Sequence, residues 1–276
     1  TIMKITDLHL YLSDEREHPN RVKAYGWRYD NYWTVDGVKP EERLPLFLDY
    51  AKEHNLVPLF TGDMFDVPSL KNFDFFDKCL ENVDNYIYTL GNHDWSYMDW
   101  LYKVERWGKI PAKEDYHNEH TKQKYWPMFH KYAKNLYQEA FIYDDLIIAT
   151  LYTGDEQYKK CHINFIKKLY EMNKPIIFIT HTPFYNEEDY DFVVKTSDSK
   201  RDLRIGSPER TIPGYIDSKY SREVYKLVTQ KDSPIKAIIA GHRHFESFGH
   251  LSNGIPQFIA RGSYFGPAVE YIIKGK

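Results

Sequence analysis

The stretch LVPLFTGDMFDVP, residues 56–68, decides the fold class that the sequence predicts. It begins with a short apolar run, 56–60, and passes directly into the polar cluster Gly62-Asp63-Met64-Phe65-Asp66. A short apolar run that is bounded by turn residues is typical of a buried strand. The stretch therefore indicates a strand whose carboxyl end carries two aspartates.

The same rhythm repeats along the chain, because helix-like stretches alternate with short apolar runs. This alternation predicts an α/β fold. The runs that we interpret as strands are 2–6, 56–60, 86–90, 146–151, 176–180 and 235–240. The helices expected between them are 40–54 with Pro40 in its first turn, 69–83 capped by Ser69, 155–172 capped by Asp155, and one that runs from Ser218 or Ser221 to about Gln230.

The carboxyl-terminal part of the sequence lacks helices. The short runs 245–251, 257–260 and 269–273 are separated by Gly, Asn and Pro, which predicts antiparallel strands in a meander. We therefore expect two sheets that pack together, flanked by helices. The sequence shows no linker or repeat, so we expect one domain over 1–276. Three segments exceed ordinary loop length and are predicted insertions, near 11–39, 95–139 and 184–217.

Five polar clusters directly follow five of the predicted strands. They are Asp7-Leu8-His9, Gly62-Asp63-Met64-Phe65-Asp66, Gly91-Asn92-His93-Asp94, His181-Thr182-Pro183 and Gly241-His242-Arg243-His244. In open α/β sheets, ligands bind at the carboxyl ends of the strands. Each residue taken alone has an ordinary structural interpretation as a turn, cap or hydrogen-bonded residue. The joint pattern predicts that all five clusters lie at one rim and bind a ligand there.

The donor atoms of these clusters predict metal ions. They are the carboxylates of Asp7 and Asp63, the amide oxygen of Asn92, and the imidazoles of His9, His181, His242 and His244. A mixed nitrogen and oxygen set without a thiolate suits Mn, Fe or Zn. Seven ligands exceed the needs of one tetrahedral ion and suffice for two ions that share a carboxylate. A bridge is expected, because two unbridged dications would repel each other strongly.

The motifs Asp-x-His, Gly-Asp-x-x-Asp, Gly-Asn-His-Asp, a single strand-end His and Gly-His-x-His resemble, in this order, those of the calcineurin-like metallophosphoesterase family. They span residues 7–244. The resemblance implies a four-layer sandwich of two mixed β-sheets flanked by helices, and two divalent or trivalent metal ions, with Mn favoured over Fe or Zn. It assigns one ion to Asp7, His9, Asp63 and His244, and the other to Asp63, Asn92, His181 and His242.

The resemblance also implies the catalytic residues. His93 matches the family's non-ligand histidine, which faces the leaving group, and Asp66 matches the carboxylate that orients this histidine; Asp94 could share that role. Two dications would lower the pKa of a bridging water toward about 7, which makes a hydroxide available to attack phosphorus. His93 would then protonate the leaving oxygen. Arg243 either reaches a phosphate oxygen or is a solvated side chain beside the ligands.

The branch of the family affects the expected substrate. The stretch GDMFDVP lacks the Arg-Gly that follows this motif in the Ser/Thr protein phosphatases, and Asp94 stands where that branch has Glu. The pattern resembles the bacterial-type small phosphodiesterase and phosphatase branches, and we favour a small phosphodiester over a monoester. Two alternatives are a non-catalytic metal-binding scaffold, although His93 and all seven ligands are present, and a metal-dependent nuclease.

Composition argues against several classes of partner. The net charge is −3, from 37 basic and 40 acidic residues among 276, so no basic excess favours nucleic acid or an anionic membrane. No apolar stretch reaches the roughly 20 residues of a membrane span. A small phosphate ester is therefore the expected partner, and a protein partner remains open. Cys79 and Cys161 lie in helix-like segments, which favours a reducing, cytoplasmic location. Thr1 leaves open whether a leader was removed.

Overall fold

The computed structural model describes residues 1–17, 19–31, 36–94, 119–152, 157–189 and 218–274. The chain divides into two compact units. Unit 1 comprises Thr1–Tyr88, Asn92–Ala133 and Gly262–Lys274, and unit 2 is built from Thr89–Gly91 and Lys134–Arg261. The expectation of one domain over 1–276 stays a prediction.

The described residues form ten named strands and six named helices. The strands are β1 (Ile2–Ile5), β2 (Val57–Thr61), β3 (Ile87–Thr89), β4 (Gln138–Ile142), β5 (Ile147–Leu151), β6 (Ile176–Thr180), β7 (Ile235–Ala240), β8 (Ser247–His250), β9 (Pro256–Ile259) and β10 (Val269–Tyr271). The helices are α1 (Pro19–Asn31), α2 (Pro40–Glu53), α3 (Leu70–Leu80), α4 (Glu119–Phe129), α5 (Lys160–Glu171) and α6 (Lys219–Thr229).

The sheet of unit 1 is mixed and has the strand order β10-β1-β2-β3. Strand β1 runs parallel to β2 and antiparallel to β10. The core of unit 1 is rich in aromatic rings. The ring of Phe73 in α3 lies 4.8 Å from that of Phe129 in α4, and the ring of Phe76 lies 5.0 Å from that of Tyr132, measured between centroids. Aromatic pairs at these separations add to the free energy gained by burying their area. Much of the high aromatic content of the sequence therefore serves this core.

The sheet of unit 2 is also mixed, with the strand order β4-β5-β6-β7-β9-β8. Strands β5, β6, β7 and β9 run parallel, while β4 and β8 pair antiparallel at the two edges. Every residue of β6 is buried, as expected for a central parallel strand. Ile166 of α5 and Val224 of α6 pack into the same apolar core as Phe178 of β6. The predicted α/β class, with two mixed sheets flanked by helices, is confirmed.

Local sequence signals predicted most element bounds well. Each of the six strands predicted outside the carboxyl-terminal part is present, with both ends within one residue of the expected position. Ser69 caps α3 by accepting a hydrogen bond from the Asn72 N–H, and Ser218 caps α6 in the same way from Ser221. The helix expected from Asp155 begins later, at Lys160, with Lys159 as its N-cap. Asp155 itself lies outside the described residues.

The meander predicted for the carboxyl-terminal strands is wrong in part. Strands β8 and β9 pair antiparallel as expected, but β9 also lies parallel to β7, and β10 joins the sheet of unit 1. The cause is a contact after β9 that the sequence does not reveal. Ser263 donates its N–H to the Thr6 carbonyl at 2.7 Å, and its hydroxyl accepts from the Thr6 N–H at 3.0 Å. These bonds carry the chain alongside β1.

The predicted insertions contain regular structure that the sequence did not predict. Helix α1 lies within 11–39, and α4 and the start of β4 lie within 95–139. Residues 95–118 and 190–217 lie outside the described residues, so most of the third insertion does as well. Helix α1 contains Gly26, which weakens its helical pattern. It is nevertheless held by the packing of Ala24 and Tyr25 against Val67.

Two further expectations concern the cysteines and membranes. Cys79 and Cys161 are both free thiols. Across the ranges that the structure describes, the helices are too short or too polar to cross a membrane.

The loops after β1 and β2 run side by side and continue the pairing of the two strands. Asp7 N–H bonds to the Gly62 carbonyl at 3.0 Å, and His9 N–H bonds to the Asp63 carbonyl at 3.0 Å. Asn72 of α3, which is fully buried, fastens this pair of loops. Its amide donates to the carbonyls of Leu10 and Val67 at 2.9 and 2.8 Å and accepts from the Leu12 N–H at 2.8 Å.

Asn72→Ala is expected to lower the free energy of unfolding by about 2 to 4 kcal/mol, because it leaves buried backbone groups without their partner. Chemical denaturation of the variant and the parent measures the difference. Asn82→Ala is the matched control, since Asn82 is exposed just after α3. Equal losses for the two variants would contradict the role given to Asn72.

Candidate metal centre

Backbone conformation singles out the predicted ligands. Seven non-glycine residues of the described chain have a positive φ, and five of them are predicted metal ligands. These five are Asp7 (49°), His9 (55°), Asp63 (53°), His242 (71°) and His244 (57°). The other two, Asn55 and Asn173, directly follow α2 and the last turn of α5, where asparagine commonly adopts this conformation. The left-handed region costs a non-glycine residue about 1 kcal/mol or more, and such strain concentrates at functional sites.

In unit 1, the side chains after β1 and β2 are buried. Asp7, His9 and Asp63 are 0%, 2% and 1% exposed. Gly62, which precedes Asp63, has φ of 90°, a conformation that requires glycine. Donor atoms of His9, Asp63 and His93 all lie within 4.8 Å of one another. The structure therefore brings two predicted ligands and the predicted catalytic histidine together.

The cluster after β3 fixes the turn that carries Asp63. The His93 N–H donates to Asp63 Oδ1 at 2.7 Å. The Asp94 carboxylate accepts from the N–H groups of Asp63 and Phe65 at 3.0 and 2.9 Å. Asp94 thus holds the backbone of the loop after β2. Asn92, the predicted amide ligand, is buried at the start of this cluster.

His93 is held by Asp66. Its Nδ1 lies 3.0 Å from the Asp66 carbonyl oxygen and 3.6 Å from Asp66 Oδ1. A carbonyl oxygen only accepts hydrogen bonds, so the Nδ1 atom carries the hydrogen. Nε2 is then the nitrogen that can take up and release a second proton. The sequence left open whether Asp66 or Asp94 orients His93. Both of these contacts of the His93 ring are with Asp66, which favours Asp66.

The Asp66 carboxylate joins a predicted ligand to an arginine that the sequence did not single out. His9 Nδ1 lies 2.9 Å from Asp66 Oδ1, and Arg28 Nε donates to Asp66 Oδ2 at 2.9 Å. Burial alone would raise the pKa of Asp66, but the positive charge of Arg28 and the hydrogen bond from His9 hold it below the usual aspartate range. The ionised carboxylate only accepts, so His9 Nδ1 carries a hydrogen and its Nε2 keeps a lone pair for a metal.

The segment after β9 also contributes to this side of the site. The Tyr264 ring stands edge-on to His9 with centroids 5.5 Å apart. On the same side, Thr6, which directly follows β1, donates its hydroxyl to Asp7 Oδ2 at 2.6 Å. Gly262 is required for this approach, because a Cβ there would lie 2.8 Å from the Tyr264 ring and 3.3 Å from Asp7 Cβ. The sequence did not predict the contacts of Gly262 and Tyr264, since neither residue belongs to a strand-end motif.

In unit 2, two predicted ligands meet at the ends of neighbouring strands. His181 follows β6 and His242 follows β7, and His242 Nδ1 lies 3.1 Å from His181 Nε2. The Gly241 N–H donates to the His181 carbonyl at 2.9 Å, which fixes the two strand ends together. His244 lies in the same turn as His242, and the Arg243 N–H between them donates to the Gly241 carbonyl. Imidazole nitrogens this close can share a hydrogen or direct their lone pairs at a cation.

The donor set fits transition-metal ions. The predicted ligands offer imidazole nitrogens, carboxylates and one amide oxygen, and no cysteine lies among them. Such ligands suit Mn, Fe and Zn, and the bond from His9 to Asp66 is the kind that orients a metal-binding imidazole.

The fold is similar to that of a solved dimetal phosphatase, and two further solved structures match with lower scores. A dimetal phosphatase from Danio rerio matches with a TM-score of 0.50 and 8% identity, covering 95% of this chain and 87% of that one. GAP50, the anchor in the inner membrane complex of Plasmodium, matches with a TM-score of 0.44 and 14% identity, covering 95% of this chain and 71% of that one. The phosphopantetheinyl hydrolase of Mycobacterium tuberculosis matches with a TM-score of 0.42 and 10% identity, covering 95% of this chain and 89% of that one. At these identities, the match to the Danio rerio protein supports the fold alone.

No curated protein shows significant sequence similarity to the chain. The family model of the calcineurin-like phosphoesterases, in contrast, matches residues 1–246. This range includes every predicted ligand and the catalytic candidates His93, Asp66 and Asp94. The chain belongs to the calcineurin-like phosphoesterase family.

Proposed function

We propose that the protein is a metal-dependent phosphoesterase that hydrolyses a small phosphate ester with two metal ions. The seven proposed ligands are Asp7, His9, Asp63, Asn92, His181, His242 and His244. The observation that supports this most strongly is the left-handed backbone at five of them. Packing alone does not require a strained backbone at these residues. Metal ligands, in contrast, must direct their side chains at the ion, which can require such strain.

The ligands divide into two sets that share one carboxylate. We assign Asp7, His9, Asp63 and His244 to one ion, and Asp63, Asn92, His181 and His242 to the other. Manganese is favoured, with iron or zinc as alternatives. When bound, the two ions would supply an activated water near neutral pH and neutralise charge on the phosphoryl oxygens.

His93 is the proposed proton donor to the leaving oxygen. Its Nδ1 hydrogen is committed to the Asp66 carbonyl, so Nε2 is the atom that holds the transferable proton. Its side chain is 18% exposed, whereas His9 is 2% exposed, so His93 is the one of the two that a substrate can reach. Asp66 positions both histidines, one through its carbonyl and one through its carboxylate.

The proposed substrate is a small phosphodiester. The stretch GDMFDVP and the Asp94 position resemble the bacterial-type small phosphodiesterase and phosphatase branches rather than the Ser/Thr protein phosphatases, and between these two ester classes we favour the diester. The net charge of −3 gives no support for a nucleic-acid substrate.

The metal-loaded chain should hydrolyse bis(p-nitrophenyl) phosphate faster than p-nitrophenyl phosphate, because we favour a diester substrate. Release of p-nitrophenol with Mn²⁺ present, and again after chelation, measures both rates. Hydrolysis of neither ester by protein that retains its metal would contradict the proposal and support a scaffold. Cleavage of plasmid DNA in the same buffer, with neither ester hydrolysed, would support a nuclease instead.

His93→Asn should keep its metal content and lose rate by about 10²- to 10⁴-fold, as is typical when a general acid is removed. The loss should be larger for an ester with an alkyl leaving group than for one that releases p-nitrophenol, since p-nitrophenolate needs little protonation. His130→Asn is the matched control, because His130 is exposed just after α4. Equal losses for the two esters would argue against proton donation by His93.

A further inference from the structure

Arg28 contacts the proposed site although no motif contains it. Its Nε donates to Asp66 Oδ2 at 2.9 Å and its Nη2 donates to Asp66 Oδ1 at 3.3 Å. Both oxygens of a fully buried carboxylate are therefore held by one guanidinium. Such a two-point contact fixes the plane of a carboxylate, which a single-point ammonium contact does not do.

The same carboxylate orients a proposed ligand. Asp66 Oδ1, which accepts from Arg28 Nη2, also accepts from His9 Nδ1 at 2.9 Å. A fixed carboxylate plane therefore fixes the ring of His9 and the direction of its Nε2 lone pair. Mutation of such a partner behind a metal ligand typically lowers metal affinity by about 10- to 100-fold.

Helix α1 is anchored on both sides of Arg28. Ala24 and Tyr25 pack against Val67, the residue after Asp66, and Trp27 packs on the same cluster. On the other side, Tyr29 donates its hydroxyl to Glu41 Oε1 at 2.6 Å, and Lys39 Nζ donates to the Tyr29 carbonyl at 2.6 Å. The predicted insertion 11–39 thus delivers Arg28 from a packed helix and not from a loose loop.

We propose that Arg28 is a positioning residue for the metal site, which acts through Asp66 on His9. The proposal rests on the proposed function, because it requires that His9 bind a metal ion. The proposal gives the first insertion a role. Of the strand-end motifs, Asp66 orients the proposed ligand His9, and α1 adds Arg28, which holds Asp66 in place.

Metal affinity of five variants tests this role without any need for turnover. Competition with a chromophoric chelator for Zn²⁺ measures the affinity of each folded variant. Arg28→Met should bind one of the two ions about 10- to 100-fold more weakly. Arg28→Lys should fall between Arg28→Met and the parent, because it restores the charge but not the two-point contact. Arg16→Met, the control from the same insertion, should match the parent, since Arg16 pairs with Asp14 and Asp74 at the surface.

A double-mutant cycle separates positioning from a general structural effect. The fourth variant is Asp66→Asn, and the fifth combines Asp66→Asn with Arg28→Met. Adding Arg28→Met to Asp66→Asn should change metal affinity less than about two-fold, because Arg28 acts only through Asp66. His9→Asn serves as the background if Asp66→Asn does not fold, as judged by thermal unfolding. A merely structural role would produce the same loss in both backgrounds.

The outcomes distinguish this proposal from the proposed function. If the parent binds two ions and Arg28→Met binds them equally well, the role of Arg28 is overturned and the proposed function is not. Losses of metal affinity that are additive in the double-mutant cycle would have the same meaning. Two bound ions without hydrolysis of any ester would overturn the proposed function, and the cycle would still decide on Arg28. A parent chain that binds no Zn²⁺ would overturn both.

Discussion

Negative charge held away from water is the constraint on which this site depends. Asp7, Asp63, Asp66 and Asp94 are all at most 1% exposed in unit 1. A buried carboxylate costs several kcal/mol unless positive charge or hydrogen-bond donors compensate it. Asp66 receives the Arg28 guanidinium and Asp94 receives two backbone N–H groups. Asp7 accepts from the Thr6 hydroxyl and Asp63 from the His93 N–H, and the proposed metal ions would add positive charge beside both carboxylates.

Strained backbone and buried charge occur at the same positions for a geometric reason. A parallel sheet ends in turns, and a left-handed residue reverses the side-chain direction within one residue of the strand end. Asp7 and Asp63 take that conformation two residues after the ends of β1 and β2, and Gly62, which precedes Asp63, also has a positive φ. The loops are kept in register by their own backbone bonds and by Asn72. The stability of the core thus offsets the cost of the strain.

Strand bounds and helix caps could be predicted from the sequence because they depend on local pattern. Contacts between residues that lie far apart in the sequence could not. Strands β6 and β7 have the predicted bounds, and Ser69 caps α3, because periodicity and capping are local properties. Arg28 could not be predicted, since its partner lies 38 residues away. Tyr264 and Gly262 were missed for the same reason. The left-handed conformation of His9 and Asp63 also has no local signal, because tertiary packing imposes it.

Asp63 is proposed to bridge two metal ions, and anomalous diffraction from crystals of the Mn²⁺-loaded protein tests this central claim most directly. Data collected on both sides of the manganese absorption edge locate each ion without reference to activity. We expect two anomalous peaks about 3.5 to 4 Å apart, each bound by one oxygen of the Asp63 carboxylate. A single peak at full loading, or two ions of which one lacks contact with Asp63, would contradict the claim.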